Sequence, residues 1–135
     1  MITNTATSLT TEVWQHIVDE ATQAAAAEPV LAEYLHNNIL NHGDMAAALS
    51  FHLASKLSSD TTPASMLREI MTDILCRPEI IEAAANDIQA TVDRDSACGN
   101  YSSPFLYYKG FLALQSYRVS HQLWLQGDRS MALLI

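Results

Sequence analysis

Asp93-Arg94-Asp95, followed by Ser96, is the one unusual polar cluster in this chain. Read from the residues alone it has two meanings. It is either a solvated helix end holding one internal ion pair, which contributes little, or a carboxylate turned into a cleft to meet a cation. The five histidines, His16, His36, His42, His52 and His121, offer less. No two stand in H-x-x-x-H spacing and no H-E-x-x-H occurs, so no metal set is expected. His36 and His42 flank a helix end and read as surface rings. His52 lies on the Leu49–Leu53 side of its helix and reads as a satisfied, partly buried ring. His121 follows Tyr117 and Arg118 and reads as structural. Cys76 and Cys98 form no C-x-x-C and are expected as two reduced thiols. G-x-G-x-x-G, P-loop and G-x-S-x-G are all absent, so no catalytic residue is assigned.

The elements that must position these groups read as helices throughout. Hydrophobic residues make up 49% of the 135 residues and charged ones 16%, enough apolar surface for one domain with a real core. Helix one is predicted from about Thr11 to Ala27, with Val13, Ile17, Ala21 and Ala24 at helical spacing. A second opens at Pro29, and a third follows Gly43-Asp44 with Met45, Leu49, Leu53 and Leu57 on one face. Ser58 to Thr62 reads as a polar loop. Thr62 is then the expected cap of a fourth helix at Pro63, and Pro78 starts a fifth. A loop from about Asp93 to Asn100 leads onward. No stretch alternates β-branched with polar residues, so strands are not expected.

Ser103-Pro104 to Gly127 reads as one long helix, capped by Ser103 and stopped by Gly127. It is apolar on nearly every face, which predicts burial on several sides. Gly110 in its middle predicts close approach by another backbone. After Gly127, Asp128 could cap a last helix. The apolar end, Met131 to Ile135, gives the expectation of a surface awaiting a partner and of a chain cut before a further domain.

Net charge is −8 and lopsided: the first 55 residues hold six acids and no Lys or Arg. Without a basic stripe, nucleic acid and anionic membrane surfaces are excluded as expected partners. The N-terminus lacks the basic and apolar regions of a signal peptide, and no apolar run reaches about 18 residues. A cytoplasmic protein is expected.

Five stretches then resemble a known family in its own order. They are Glu28-Pro29-Val30-Leu31-Ala32; Ala47-Ala48-Leu49-Ser50 with Ala54-Ser55-Lys56-Leu57-Ser58-Ser59; Asp87-Ile88-Gln89-Ala90; Arg94-Asp95; and Tyr101-Ser102-Ser103-Pro104 through Tyr108-Lys109-Gly110-Phe111 to His121 and Leu123-Trp124. Over about 100 residues the chain resembles the N-terminal helical domain of bacterial and plant serine O-acetyltransferases. The resemblance implies an all-α, multi-helix bundle spanning residues 1–135, without the family's C-terminal left-handed β-helix. That half would supply the catalytic histidine, its orienting acid and the site for the co-substrate acetyl-CoA, leaving this chain inactive alone and free of cofactor. It implies a homo-oligomer through the helical domain, in the family a hexamer of two trimers. It also implies that Asp95, matching the Asp of an Arg-Asp-Pro-Ala pattern, binds the ammonium group of L-serine. Ser96 departs from the family's Pro there, and Gln122 from its Trp. The alternative is a stand-alone helical interaction module without catalysis; a ligand-binding regulatory bundle is a third reading.

Overall fold

The computed structural model describes residues 8–135, and all of its regular structure is helical. Among these residues no strand forms, and Ser59 and Thr62 share one isolated antiparallel bridge. Helix α1 (Leu9–Ala27) begins where the Ser8 hydroxyl accepts the Thr11 N–H, and buries Val13, Ile17 and Ala21 four residues apart. The second predicted helix is less regular. Pro29–Leu31 is a 3-10 turn, α2 (Ala32–Leu35) one α turn, and His36–Leu40 a π turn. Asp44 caps α3 (Met45–Leu57) by accepting the Ala47 N–H at 2.9 Å. Leu57 falls off the buried face, at 39% exposure.

Helix α4 (Ala64–Leu75) packs along α3, turning Leu67, Met71, Ile74 and Leu75 inward. Each such side chain contributes about 1.5–3 kcal/mol by leaving water. Pro63 itself occupies the cap position of α4 and the Thr62 side chain makes no capping bond, contrary to expectation. Pro78 opens α5 (Pro78–Arg94), whose Ile81, Ala84, Ala85 and Ile88 face α1 and the core.

The long helix is two helices. Helix α6 (Ser102–Tyr107) and α7 (Lys109–Leu125) meet at Tyr108, which is extended at φ −79° and ψ 109°. Nor is α7 buried all round. Phe111, Leu112, Gln115, Val119 and Leu123 form its core stripe, while Leu114, Tyr117, Trp124 and Leu125 are exposed. Among the described residues, apart from its own helix backbone and chain neighbours, no atom stands within 4 Å of where a Gly110 side chain would begin, so the expected close backbone approach is not seen. Gly127, at φ +93°, ends the helix as its sequence position predicts. The chain then folds back as α8 (Arg129–Leu134), with no capping bond from the Asp128 side chain. Ala132 is buried, and its carbonyl accepts the Ser120 hydroxyl at 2.7 Å.

Ser103 is not the cap of α6. Asn100 Oδ1 accepts the Ser103 N–H at 2.9 Å, and Glu20 of α1 accepts the N–H groups of Tyr101 and Ser102. The carboxylate therefore serves two orphan donors at a helix start, where the backbone dipole favours negative charge. At the other end of α6, the break leaves the Leu106 carbonyl without its helical partner. His52 Nε2 takes it at 2.9 Å, while Nδ1 lies 2.9 Å from Asn38 Oδ1 in the π turn.

Burial lowers the proton affinity of His52, the bond to Leu106 opposes this, and Lys56 adds to the lowering. A ring less basic in the folded than in the unfolded chain contributes its full stability above about pH 6.5. That contribution is lost progressively as pH falls from the unfolded value through the lowered folded one.

Glu20→Ala should lower the unfolding free energy by about 1–2 kcal/mol, with Glu20→Gln costing less. Urea titration followed by circular dichroism reads this directly; an unchanged midpoint in Glu20→Ala would contradict the capping role.

Candidate functional site

Asp95 stands at the C-terminal end of α5, in extended conformation at φ −99° and ψ 103°. Its Oδ1 accepts the Ala97 N–H at 2.9 Å, and its backbone carbonyl accepts the Cys98 N–H at 2.9 Å. This turn needs no proline, so Ser96 is accommodated. The side chain is exposed. Among the described residues Arg94 forms no ion pair with either neighbouring aspartate; Asp93 instead accepts from Gln89 Nε2 at 3.0 Å. The internal ion pair read from the cluster is therefore not formed.

Asp95 borders a cleft of about 640 Å³ between the last turns of α5 and the α6–α7 junction, lined also by Asp87, Arg94, Tyr108 and Phe111. The break at Tyr108 shapes the far wall. Had the helix run through, the Tyr108 side chain would follow the helical rows. Extended, it lies against Cys98. That thiol, then burial, and then the charge of Asp95 hold the Tyr108 phenol above its usual proton affinity, so it is a neutral hydroxyl at pH 7. Cys98 is a free, buried thiol that donates to the Asn100 carbonyl at 3.1 Å; Cys76 is free and exposed.

Two carboxylates line the cleft, and their surroundings separate them. Asp87 Oδ2 accepts Arg118 Nη1 at 2.6 Å and Gln115 Nε2 at 2.8 Å, and Gln115 Oε1 accepts from the same guanidinium at 3.2 Å. Its charge is met inside the chain. Asp95 has no cationic partner among the described residues and is the carboxylate left to meet one. Neither Asp87 nor Arg118 was singled out by sequence. A signal was present: Gln115 and Arg118 are three residues apart on α7, and Asp87 sits beside the buried Ile88.

The histidines do not join this cleft. His52 is buried at 2% exposure, His16 stacks on Tyr101 at 4.3 Å, and His121 stacks on Tyr117 at 5.6 Å. Among the described residues no three His, Cys, Asp or Glu side chains converge as metal ligands. A larger cavity of about 1170 Å³ lies elsewhere, between α3, α4 and the α7–α8 turn, lined by Phe51, Met66, Ile70 and Leu123 among others.

Fold and cleft together define an all-helical bundle whose cleft, beside a kinked helix pair, is lined by one paired and one unpaired carboxylate. Residues 13–116 match the family model described as serine acetyltransferase, N-terminal. The chain belongs to that family. It is 48% identical over 128 residues to a serine acetyltransferase of Haemophilus influenzae, covering 94% of this chain and 48% of that protein. Among solved structures, soybean serine acetyltransferase complexed with serine superposes with a TM-score of 0.88 at 40% identity, over 96% of this chain and 54% of that one. A serine acetyltransferase complexed with CoA superposes with a TM-score of 0.89 at 49% identity, over 92% and 53%. The chain thus spans about half the length of the relatives it matches.

Arg118→Met should destabilise the fold by about 1–3 kcal/mol, because it strips Asp87 of its charged partner. Combining it with Asp87→Asn should recover part of that loss in urea unfolding. A double variant no better than the single one would contradict the pairing.

Proposed function

We propose that this chain is the helical domain of a serine O-acetyltransferase, which moves the acetyl group of acetyl-CoA to the hydroxyl of L-serine in cysteine synthesis. The observation that carries the reading is the pairing pattern in the cleft. Asp87 is neutralised by Arg118, and Asp95 is free to meet an ammonium group. Arg94 borders the same cleft, so an amino-acid zwitterion meets both signs of charge there. Asp95 orients serine and transfers no proton. Deprotonation of the serine hydroxyl falls to a histidine of the β-helix half of the whole enzyme, acting as general base. That half also holds acetyl-CoA.

The domain has a second role in assembly. Tyr117, Trp124 and Leu125 on α7 are 62%, 43% and 64% exposed, with Leu114 on the same helix, an apolar surface suited to a second copy. The working form is then a homo-oligomer, in keeping with a hexamer of two trimers, and its place is the cytoplasm. Among the described residues no helix is long and apolar enough to cross a membrane.

Two experiments test these roles. The isolated chain should make no O-acetylserine from serine and acetyl-CoA. Joined to the C-terminal half of the Haemophilus influenzae relative it should become active, and Asp95→Asn there should raise KM for serine roughly tenfold to a hundredfold. KM for acetyl-CoA should not change. Product from the isolated chain, or an unaltered serine KM, would refute the assignment. Light scattering over a concentration series should show dimers or larger species; a clean monomer at high concentration would refute self-association through these helices.

A further inference from the structure

The polar chain around His52 contains one hydrogen too few. At one end the Tyr34 carbonyl accepts Asn38 Nδ2–H at 2.9 Å, which fixes the amide with its oxygen towards His52. At the other end the Leu106 carbonyl faces His52 Nε2. Turning the Asn38 amide over would set its oxygen against the Tyr34 carbonyl, so the orientation has no alternative. Both ring nitrogens therefore face acceptors. A neutral imidazole carries one N–H and satisfies one of them; an imidazolium carries two and satisfies both.

We propose that His52 is a proton-dependent positioning residue, tying the π turn to the α6–α7 kink through both hydrogen bonds when doubly protonated and through one when neutral. The surroundings pull both ways, with burial the strongest and set against the second proton. The ring is 2% exposed and stacks on Phe105 at 5.9 Å, which opposes charge. Lys56, one turn further along α3, opposes it too, and it is the charged group among the described residues whose field reaches the ring. From the π turn the ring faces the neutral Asn38 amide, and from α6 it faces Phe105 and the Leu106 carbonyl. Two short bonds to oxygen favour the second proton.

The consequence reaches the cleft. Leu106 lies two residues before Tyr108, whose extended backbone forms the wall opposite Asp95. Protonation of His52 sets how firmly that wall is held. This last step rests on reading the cleft as the serine-facing one; the two-acceptor clamp does not.

The test is a nuclear magnetic resonance titration of the 135-residue chain from about pH 8 to about pH 5, which spans the imidazole range. It follows the His52 ring nitrogens together with the backbone amides of Asn38, Tyr107, Tyr108 and Lys109. The expected result is one shared midpoint for ring and amides. Asn38→Asp should raise that midpoint by about 1–3 pH units, because a carboxylate then faces Nδ1. Lys56→Gln, an exposed change, should raise it by less and covers the case in which Asn38→Asp fails to fold. His52→Gln should abolish the shift at the kink. Amides that do not titrate, or whose midpoint ignores the variants, would overturn the proposal, as would a ring that stays neutral in a single tautomer throughout. None of these readings depends on serine, so failure of the Asp95 assignment would leave them unchanged.

Discussion

The break at Tyr108 is the constraint on which the rest of the arrangement depends. A helix continued through this point would bond the Leu106 carbonyl to its own ladder and carry Tyr108 along the helical surface. Instead the carbonyl is taken by His52 of α3, and the start of α6 is taken by Glu20 of α1. A short six-residue helix gains little stability from its own backbone. It persists because both its ends are tied to other helices and because Phe105 and Leu106 are buried beneath it. The tie to α1 and the tie to α3 thus fix where Tyr108 stands, and with it one wall of the cleft beside Asp95.

Charge placement follows the same logic. Asp87 is drawn into the α5–α7 contact because Gln115, fully buried, and Arg118 reach it from the next helix. Its pairing removes one negative charge from the cleft and leaves Asp95 as the group not yet matched. Asp95 is held by its own turn through the Ala97 N–H and needs no other element to fix its backbone. A carboxylate with a fixed backbone and an unshared charge suits the positioning of a small cationic group better than a mobile one would.

The sequence announced the helices well wherever the signal was local. Pro78 opens α5, α3 starts directly after Gly43-Asp44 and Gly127 stops α7, each through chemistry within a few residues. That His52 points inward was also legible from its place beside Leu49 and Leu53, although the ring is buried rather than partly buried and faces an acceptor at each nitrogen. The kink was not. Ser103-Pro104 and Gly127 argue locally for one continuous helix, and the partner that breaks it lies 54 residues earlier in the chain. Thr62 and Asp128 carry capping side chains that the backbone does not use. The all-round apolar character of α7 argues for burial, whereas half of that surface faces outward. Asp95 stood out only as one residue of a polar cluster until the resemblance gave it a role, and Asp87 and Arg118 became visible only once α5 and α7 were side by side.

The most direct measurement is a crystal structure of the active protein, this chain joined to a relative's C-terminal half, grown with serine. The expected result places the serine nitrogen within hydrogen-bond reach of the Asp95 carboxylate, about 3 Å, with Asp87 still held by Arg118 and the backbone still turned at Tyr108. Serine held wholly by the C-terminal half, with the Asp95 carboxylate left to solvent, would contradict the role given to this domain.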